Sequence, residues 1–228
     1  MSIGRNKIKD DFIKVEKEIK SINYNKIIND RISLNLKHIH KVTYAMCIWK
    51  AFLSESEYDE KIKISISEIF STYIQILHII PLGDIKIIKL LERNIIDNFI
   101  KIMKIRNEIN SREVDEVFNK MIDLNKDKEY RNSTLLIKQF YKECSNYIHS
   151  TNEENCSLID GIKRYISITD TNLDKNISEL FRLGKCMNFI LILIFSDIYS
   201  EKMNRVSRDI LLQSIDMRER GKISSIFY

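Results

Sequence analysis

The stretch "PLGDIKIIKLLERNIIDNFIKIM", residues 81–103, holds the clearest helix boundary in the chain. Pro81 has no backbone N–H and disfavours continuation of a helix, whereas the Asp84 carboxylate can accept a hydrogen bond from a free N–H of the next first turn. Apolar residues then recur at three- and four-residue spacings, the period of an amphipathic helix. The stretch therefore predicts one helix that ends near Pro81 and a long helix from Asp84 to about Ile109.

The same period recurs along the rest of the chain. "KIKISIS" (61–67) alternates at its start as a strand would, but the apolar pattern that continues to Leu77 fits a helix better. One proline and five glycines in 228 residues leave little material for tight turns. We therefore predict an all-α multi-helix bundle, with residues 1–228 forming a single helical domain. The opening helical stripe consists of Ile8, Phe12, Val15, Ile19 and Ile22.

Polar runs divide the second half of the sequence. We predict a helix over 111–124, a loop at "NKDKEYRNS" (125–133), and a helix capped by Ser133 that ends at His149. A second polar loop, "STNEENCS" (150–157), precedes three further predicted helices over 157–168, 174–200 and 202–220.

Composition sets broad limits on function. A net charge of +5 permits contact with nucleic acid without predicting it. The four cysteines, one of them Cys144, form no CxxC pair and suit a reducing cytoplasm. The N-terminus lacks a signal-peptide pattern, and the most apolar run, "FILILIF" (189–195), is far shorter than the roughly 20 residues of a membrane span. We expect a cytoplasmic protein without membrane contact.

No familiar cofactor or metal motif appears in the sequence. P-loop, GxGxxG, HExxH and nucleophile-elbow patterns are all missing. His38 and His40 are two residues apart, so on a helix they point about 200° apart and cannot share a metal. His78 follows "IQIL", which predicts a core or boundary position. We therefore expect no cofactor and no metal.

The most informative short stretch is "YKECSNYIHS", residues 141–150. Tyr141, Ser145 and His149 are spaced four apart, so they share one face of a helix. His149 can act there as a general base. The alternative is structural, because a histidine in the last turn interacts favourably with the negative end of the helix dipole.

Residues 84–150 resemble the HEPN domain, a helical-bundle family rich in RNA-cutting toxins and antiviral proteins. "LLERNIIDNFIKIM" (90–103) followed by "FYKECSNYIHS" (140–150) resembles a bacterial group with an Arg in one helix and Tyr-x3-Ser-x3-His in a later one. The resemblance implies a HEPN-like core over about 84–150 with added helices at both ends. The usual HEPN motif has an Arg five positions before the His, and Cys144 stands there in this chain.

Two functional hypotheses follow. A HEPN-type metal-independent ribonuclease would use His149 as base, Arg93 as phosphate clamp, and Tyr141 and Ser145 as supporting donors. A non-catalytic binding subunit or accessory protein of a bacterial defence or toxin–antitoxin system would leave the chemistry to its partner, and the substitution at Cys144 favours it. Expected partners are a second copy or a second protein, with RNA as a further candidate.

Arg93 also has a structural interpretation. It belongs to a polar stripe that predicts a solvated helix face, with Asp97 pairing Arg93 one turn away. The stripe consists of Lys86, Lys89, Arg93, Asp97 and Lys101.

Overall fold

A computed structural model describes residues 3–22, 30–149 and 170–227. Within these ranges the chain forms nine α-helices and no strand, which confirms the predicted all-α bundle. The helices are α1 (Ile3–Ile22), α2 (Asp30–Ser54), α3 (Glu60–Ile79), α4 (Ile85–Arg106), α5 (Val114–Leu124), α6 (Lys128–His149), α7 (Asp170–Ile194), α8 (Arg205–Gln213) and α9 (Met217–Phe227). The predicted helix over 157–168 falls outside the described residues.

Helices α3 and α4 form an antiparallel pair around the predicted boundary. "KIKISIS" is helical, with Ile62 and Ile66 buried in the core. Pro81 lies in a short 3₁₀ turn, Ile80–Leu82, and Gly83 follows with a φ of 69°, a left-handed conformation that glycine adopts without strain. Asp84 then caps α4 by accepting a hydrogen bond of 3.0 Å from the Ile87 N–H. Both predictions for this boundary are confirmed.

The start of α6 corrects the prediction for residues 125–133. The helix begins at Lys128, because the Asp127 side chain accepts hydrogen bonds of 3.0 Å from the N–H groups of Glu129 and Tyr130. The predicted cap, Ser133, lies inside the helix, and its buried hydroxyl donates to the Glu219 carboxylate on α9 at 3.0 Å. An aspartate six residues upstream of the predicted serine therefore starts the helix.

Helix α7 lies at the centre of the bundle, where it packs against α2, α4 and α6. Its apolar run is buried, as the sequence predicted for a core helix. Trp49 of α2 donates its indole N–H to Asn188 of α7 at 2.8 Å, and the Asn188 amide donates to the Leu211 carbonyl of α8 at 2.9 Å. This buried chain of hydrogen bonds fixes three helices to one another.

The C-terminal third has more helix ends than the sequence suggested. Helix α7 ends at Ile194, and a π-helical turn follows over Ile198–Lys202. The single helix predicted over 202–220 is two helices, separated by the turn Ser214–Asp216. Asn204 caps α8 by accepting a hydrogen bond of 2.9 Å from the Ser207 N–H.

Helix α1 closes the bundle by packing on α8 and α2. The Gly4 N–H donates to the Asp209 carboxylate at 2.8 Å, and a β-carbon at position 4 would lie 2.7 Å from that oxygen. Glycine therefore permits this close approach. On α2, the buried His40 ring contacts the Asp11 carboxylate at 2.8 Å and holds the middle of α1.

By length and composition alone, one helical stretch in the described ranges, Glu60–Leu82, is apolar enough to cross a membrane. Half of its apolar window is buried inside the bundle.

Candidate functional site

Three of the four predicted site residues meet between α4 and α6. The Arg93 guanidinium donates one hydrogen bond to the Ser145 hydroxyl and another to the Tyr141 hydroxyl. Its central carbon lies 3.5 Å from the centroid of the Tyr141 ring, within cation–π range. The third nitrogen, Nε, donates to Asp97 at 3.0 Å. Every nitrogen of Arg93 therefore has a partner within the protein.

The two hydroxyl groups differ in what they still offer to a ligand. Ser145 donates its own proton to the Tyr141 carbonyl at 2.7 Å while it accepts from Arg93. Partial burial raises the pKa of Tyr141, although the nearby Arg93 charge acts in the opposite direction. Tyr141 therefore stays protonated at neutral pH.

His149 is the last residue of α6, one turn beyond Ser145. Its side chain lies outside the described part of the structure. The base assigned to it from the sequence stays a prediction.

A buried group of ion pairs lies next to Arg93 on α4, and the sequence analysis did not predict it. The Lys89 ammonium contacts Glu92 at 2.9 Å and Glu179 of α7 at 3.1 Å. Lys89 is therefore not part of a solvated stripe, and that interpretation was wrong for this residue. Burial disfavours its charged form, but the two carboxylates outweigh this effect and raise the pKa of Lys89.

A signal for this group was present in the sequence. Glu92 lies one turn after Ile88 and three residues before Ile95, on the apolar face of α4, and it is fully buried. A carboxylate on such a face needs an internal partner, because an unpaired buried charge is costly. Burial raises the pKa of Glu92 and the Lys89 charge opposes that rise.

Cys144 occupies the position where the HEPN motif has its Arg, and it points into the protein. The thiol is fully buried beside Glu92 and Lys89. Burial, followed by the Glu92 charge, raises the pKa of this thiol. The residue five positions before His149 therefore faces the core of this bundle.

The histidines outside α6 do not lie together. Among the described residues, no cluster of three or more His, Cys, Asp or Glu side chains is placed to hold a metal ion. His38 stacks on Phe181 of α7 at a centroid distance of 4.8 Å, whereas His40 contacts Asp11 of α1, so the two rings face different helices. His78 is exposed, which corrects the predicted core or boundary position.

Comparisons with protein-family models, with curated proteins and with solved structures find no match to this chain. The HEPN resemblance therefore rests on the motif residues alone.

Proposed function

We propose that this protein is a non-catalytic, HEPN-like binding subunit or accessory protein of a bacterial defence or toxin–antitoxin system. In this proposal it acts in the cytoplasm as a homodimer or with a second protein subunit. The chemistry of the system belongs to that partner.

The observation that supports this proposal is that both cations near the site, Arg93 and Lys89, are paired with groups of the protein itself. RNA cleavage through the 2′-hydroxyl develops negative charge on the phosphate, and a positioned cation stabilises it. Arg93 uses all three of its nitrogens on Asp97, Tyr141 and Ser145. Lys89 is buried between two carboxylates. With Cys144 in place of the motif arginine, α6 supplies no cation at that position.

The ribonuclease alternative has one observation in its favour, the convergence of Arg93, Tyr141 and Ser145. An arginine has five N–H donors, and the three hydrogen bonds observed here leave two of them for a phosphate. Tyr141 accepts from Arg93 and keeps its own proton to donate. In this alternative His149, one turn further along α6, removes the proton of the 2′-hydroxyl.

A cleavage assay separates the two functions. Purified wild-type protein and His149→Ala are incubated with single-stranded RNA, and His78→Ala serves as a control because His78 is an exposed histidine on another helix. We expect no cleavage above background from any of the three, and a loss of at most about 1 kcal/mol of stability in His149→Ala, as for a helix-end interaction. Wild-type cleavage that falls by about 10² to 10⁴ in His149→Ala alone would establish the ribonuclease instead.

The proposed assembly is tested by light scattering at micromolar concentrations. A homodimer has about twice the chain mass of 27.1 kDa, and a stable heteromer co-purifies with its second subunit. A monomer at all concentrations, with no co-purifying protein, contradicts the proposed assembly.

A further inference from the structure

A cluster of cations gathers around the turn between α8 and α9, away from the Arg93 contacts. Its members come from helices that are distant in sequence, and none belongs to α4 or α6. We call it the cationic cluster, and it consists of Arg5 of α1, Lys37 and Lys41 of α2, Lys185 of α7 and Arg220 of α9.

Contacts with residues 213–216, at the end of α8 and in the turn that follows it, hold three residues of the cluster together. The Ser214 hydroxyl donates to the backbone carbonyl of Lys41 at 3.3 Å. The Arg220 guanidinium donates to the carbonyls of Ile215 at 3.2 Å and Gln213 at 3.3 Å. The Lys185 ammonium contacts the exposed Asp216 carboxylate at 2.5 Å. One short turn therefore fixes Lys41, Lys185 and Arg220 beside each other.

Lys41 has no compensating charge of its own. Its side chain is half-buried, and within the described ranges its ammonium has no hydrogen-bond or ion-pair partner. Burial, followed by the charges of Arg220, Lys185 and Arg5, lowers the pKa of Lys41 to about 8, and Asp216 acts in the opposite direction. Glu219 offers little relief, because it is buried and accepts hydrogen bonds from Ser133 and the Asp216 N–H. Lys41 therefore contributes a positive charge to the cluster that no carboxylate in the described ranges pairs.

An aromatic pair borders these cations. The rings of His38 and Phe181 stack with centroids 4.8 Å apart, and the Lys185 ammonium lies 4.8 Å from the Phe181 centroid. Burial, together with Lys37, Lys41 and Lys185, lowers the pKa of His38, so its ring is neutral at pH 7. Both rings are only partly buried. Exposed aromatic surface beside cations is the combination on which single-stranded nucleic acids bind, with bases stacking and phosphates paired.

We propose that the cationic cluster binds the phosphate backbone of single-stranded RNA, with Lys41 and the exposed Lys37 contacting phosphates, Lys185 and Arg220 adding positive charge nearby, and the His38–Phe181 pair beside the bases. This inference goes beyond the proposed function, and it requires no catalysis. Several cations drawn from four helices suit a chain of phosphates better than one isolated anion. The stacked rings favour RNA over a lipid surface, which offers no bases to stack.

The test measures the affinity of the full-length protein for a fluorescent 12-nucleotide single-stranded RNA by anisotropy over a series of salt concentrations. Lys41→Met removes the central charge, and Lys37→Met removes a second, exposed charge of the cluster. Lys61→Met, an exposed lysine on α3, is the matched control for charge. Each lost phosphate contact should make the negative slope of log K against log salt shallower by about 0.7. At 0.1 M salt this corresponds to a loss of about fivefold in affinity relative to wild type.

The affinity of the wild-type protein should also fall as the pH rises through about 8, the pKa of Lys41, and Lys41→Met should lose this dependence. Absence of RNA binding, or Lys41→Met with the affinity and salt slope of Lys61→Met, would overturn the proposal. So would Lys41-dependent binding to phosphatidylserine vesicles without binding to RNA.

Discussion

Arg93 and Lys41 are both half-buried cations on long helices, but their surroundings are opposite. Arg93 has a carboxylate, two hydroxyl groups and an aromatic ring around its guanidinium. Lys41 has two arginines and a lysine as its main charged neighbours. The first arrangement stabilises the free protein, whereas the second costs stability. The arginine that the sequence motif pointed to is therefore already paired inside the protein, whereas a lysine that no motif marks lies among like charges.

The largest expected change in stability comes from removing Lys89, a paired cation like Arg93. Lys89→Met should lower the free energy of unfolding by about 3–5 kcal/mol, because it leaves Glu92 buried without its partner. Urea denaturation measures the change, and Lys86→Met, an exposed position on the same helix, should stay within about 0.5 kcal/mol of wild type. The double variant Lys89→Met/Glu92→Gln should recover much of the loss. No recovery would mean that the two charges are not coupled.

Arg93→Met should have the next largest effect on stability, about 1–3 kcal/mol. The change removes charge-assisted hydrogen bonds to Asp97, Tyr141 and Ser145 and the contact with the Tyr141 ring. The same denaturation experiment measures it, with Arg131→Met, an exposed arginine on α6, as the control. Equal stability of the two variants would show that Arg93 is a solvated residue after all.

Lys41→Met should act in the opposite direction and stabilise the free protein at pH 7. Removing a repelled charge should raise the free energy of unfolding by about 0.5–1 kcal/mol, within the range of partly exposed charge interactions. In thermal unfolding this corresponds to an increase of about 1–4 °C for a chain of this size. Lys61→Met removes an exposed lysine that is not part of the cationic cluster, so its stability should not rise. If Lys41→Met were less stable than wild type, Lys41 would be stabilising in the free protein, as Arg93 is.

The smallest expected effect is the pH dependence of that gain. The pKa of Lys41 is about 8 in the folded protein and 10.5 without the fold. Between these values the unfolded chain binds more protons, so this residue makes the folded state more stable as pH rises from about 8 to 10.5. The advantage of Lys41→Met should therefore shrink between pH 7.5 and pH 10 in chemical denaturation. A constant advantage would indicate an ordinary pKa.

The sequence predicted those parts of the fold that depend on local chemistry. Pro81 and Asp84 fixed the α3–α4 boundary, because a missing N–H and a capping carboxylate act within one turn. The start of α6 was misassigned because Asp127 and Ser133 are both good N-cap residues. Only the packing of Ser133 against Glu219 of α9 decides between them.

In the candidate site, too, the sequence predicted the arrangement within one helix and missed an ion pair between helices. The four-residue spacing put Tyr141 and Ser145 on one face, and the structure places Arg93 against both. Lys89 was misjudged because its second partner, Glu179, comes from α7, far along the chain. The cationic cluster escaped detection for the same reason, since each of its helices contributes only one or two cations. Charge in a sequence is visible, but whether it is paired depends on the tertiary structure.

The contact between Gly4 and Asp209 joins positions that are 205 residues apart. During synthesis on a ribosome, α1 emerges before α2, whereas its docking surface on α8 follows α7. Until α8 has been made, the face of α1 that packs on α8 is uncovered, and uncovered apolar surface of this kind is open to chaperones or to premature association. Docking of α1 on α8 therefore has to wait until the intervening helices have been synthesised.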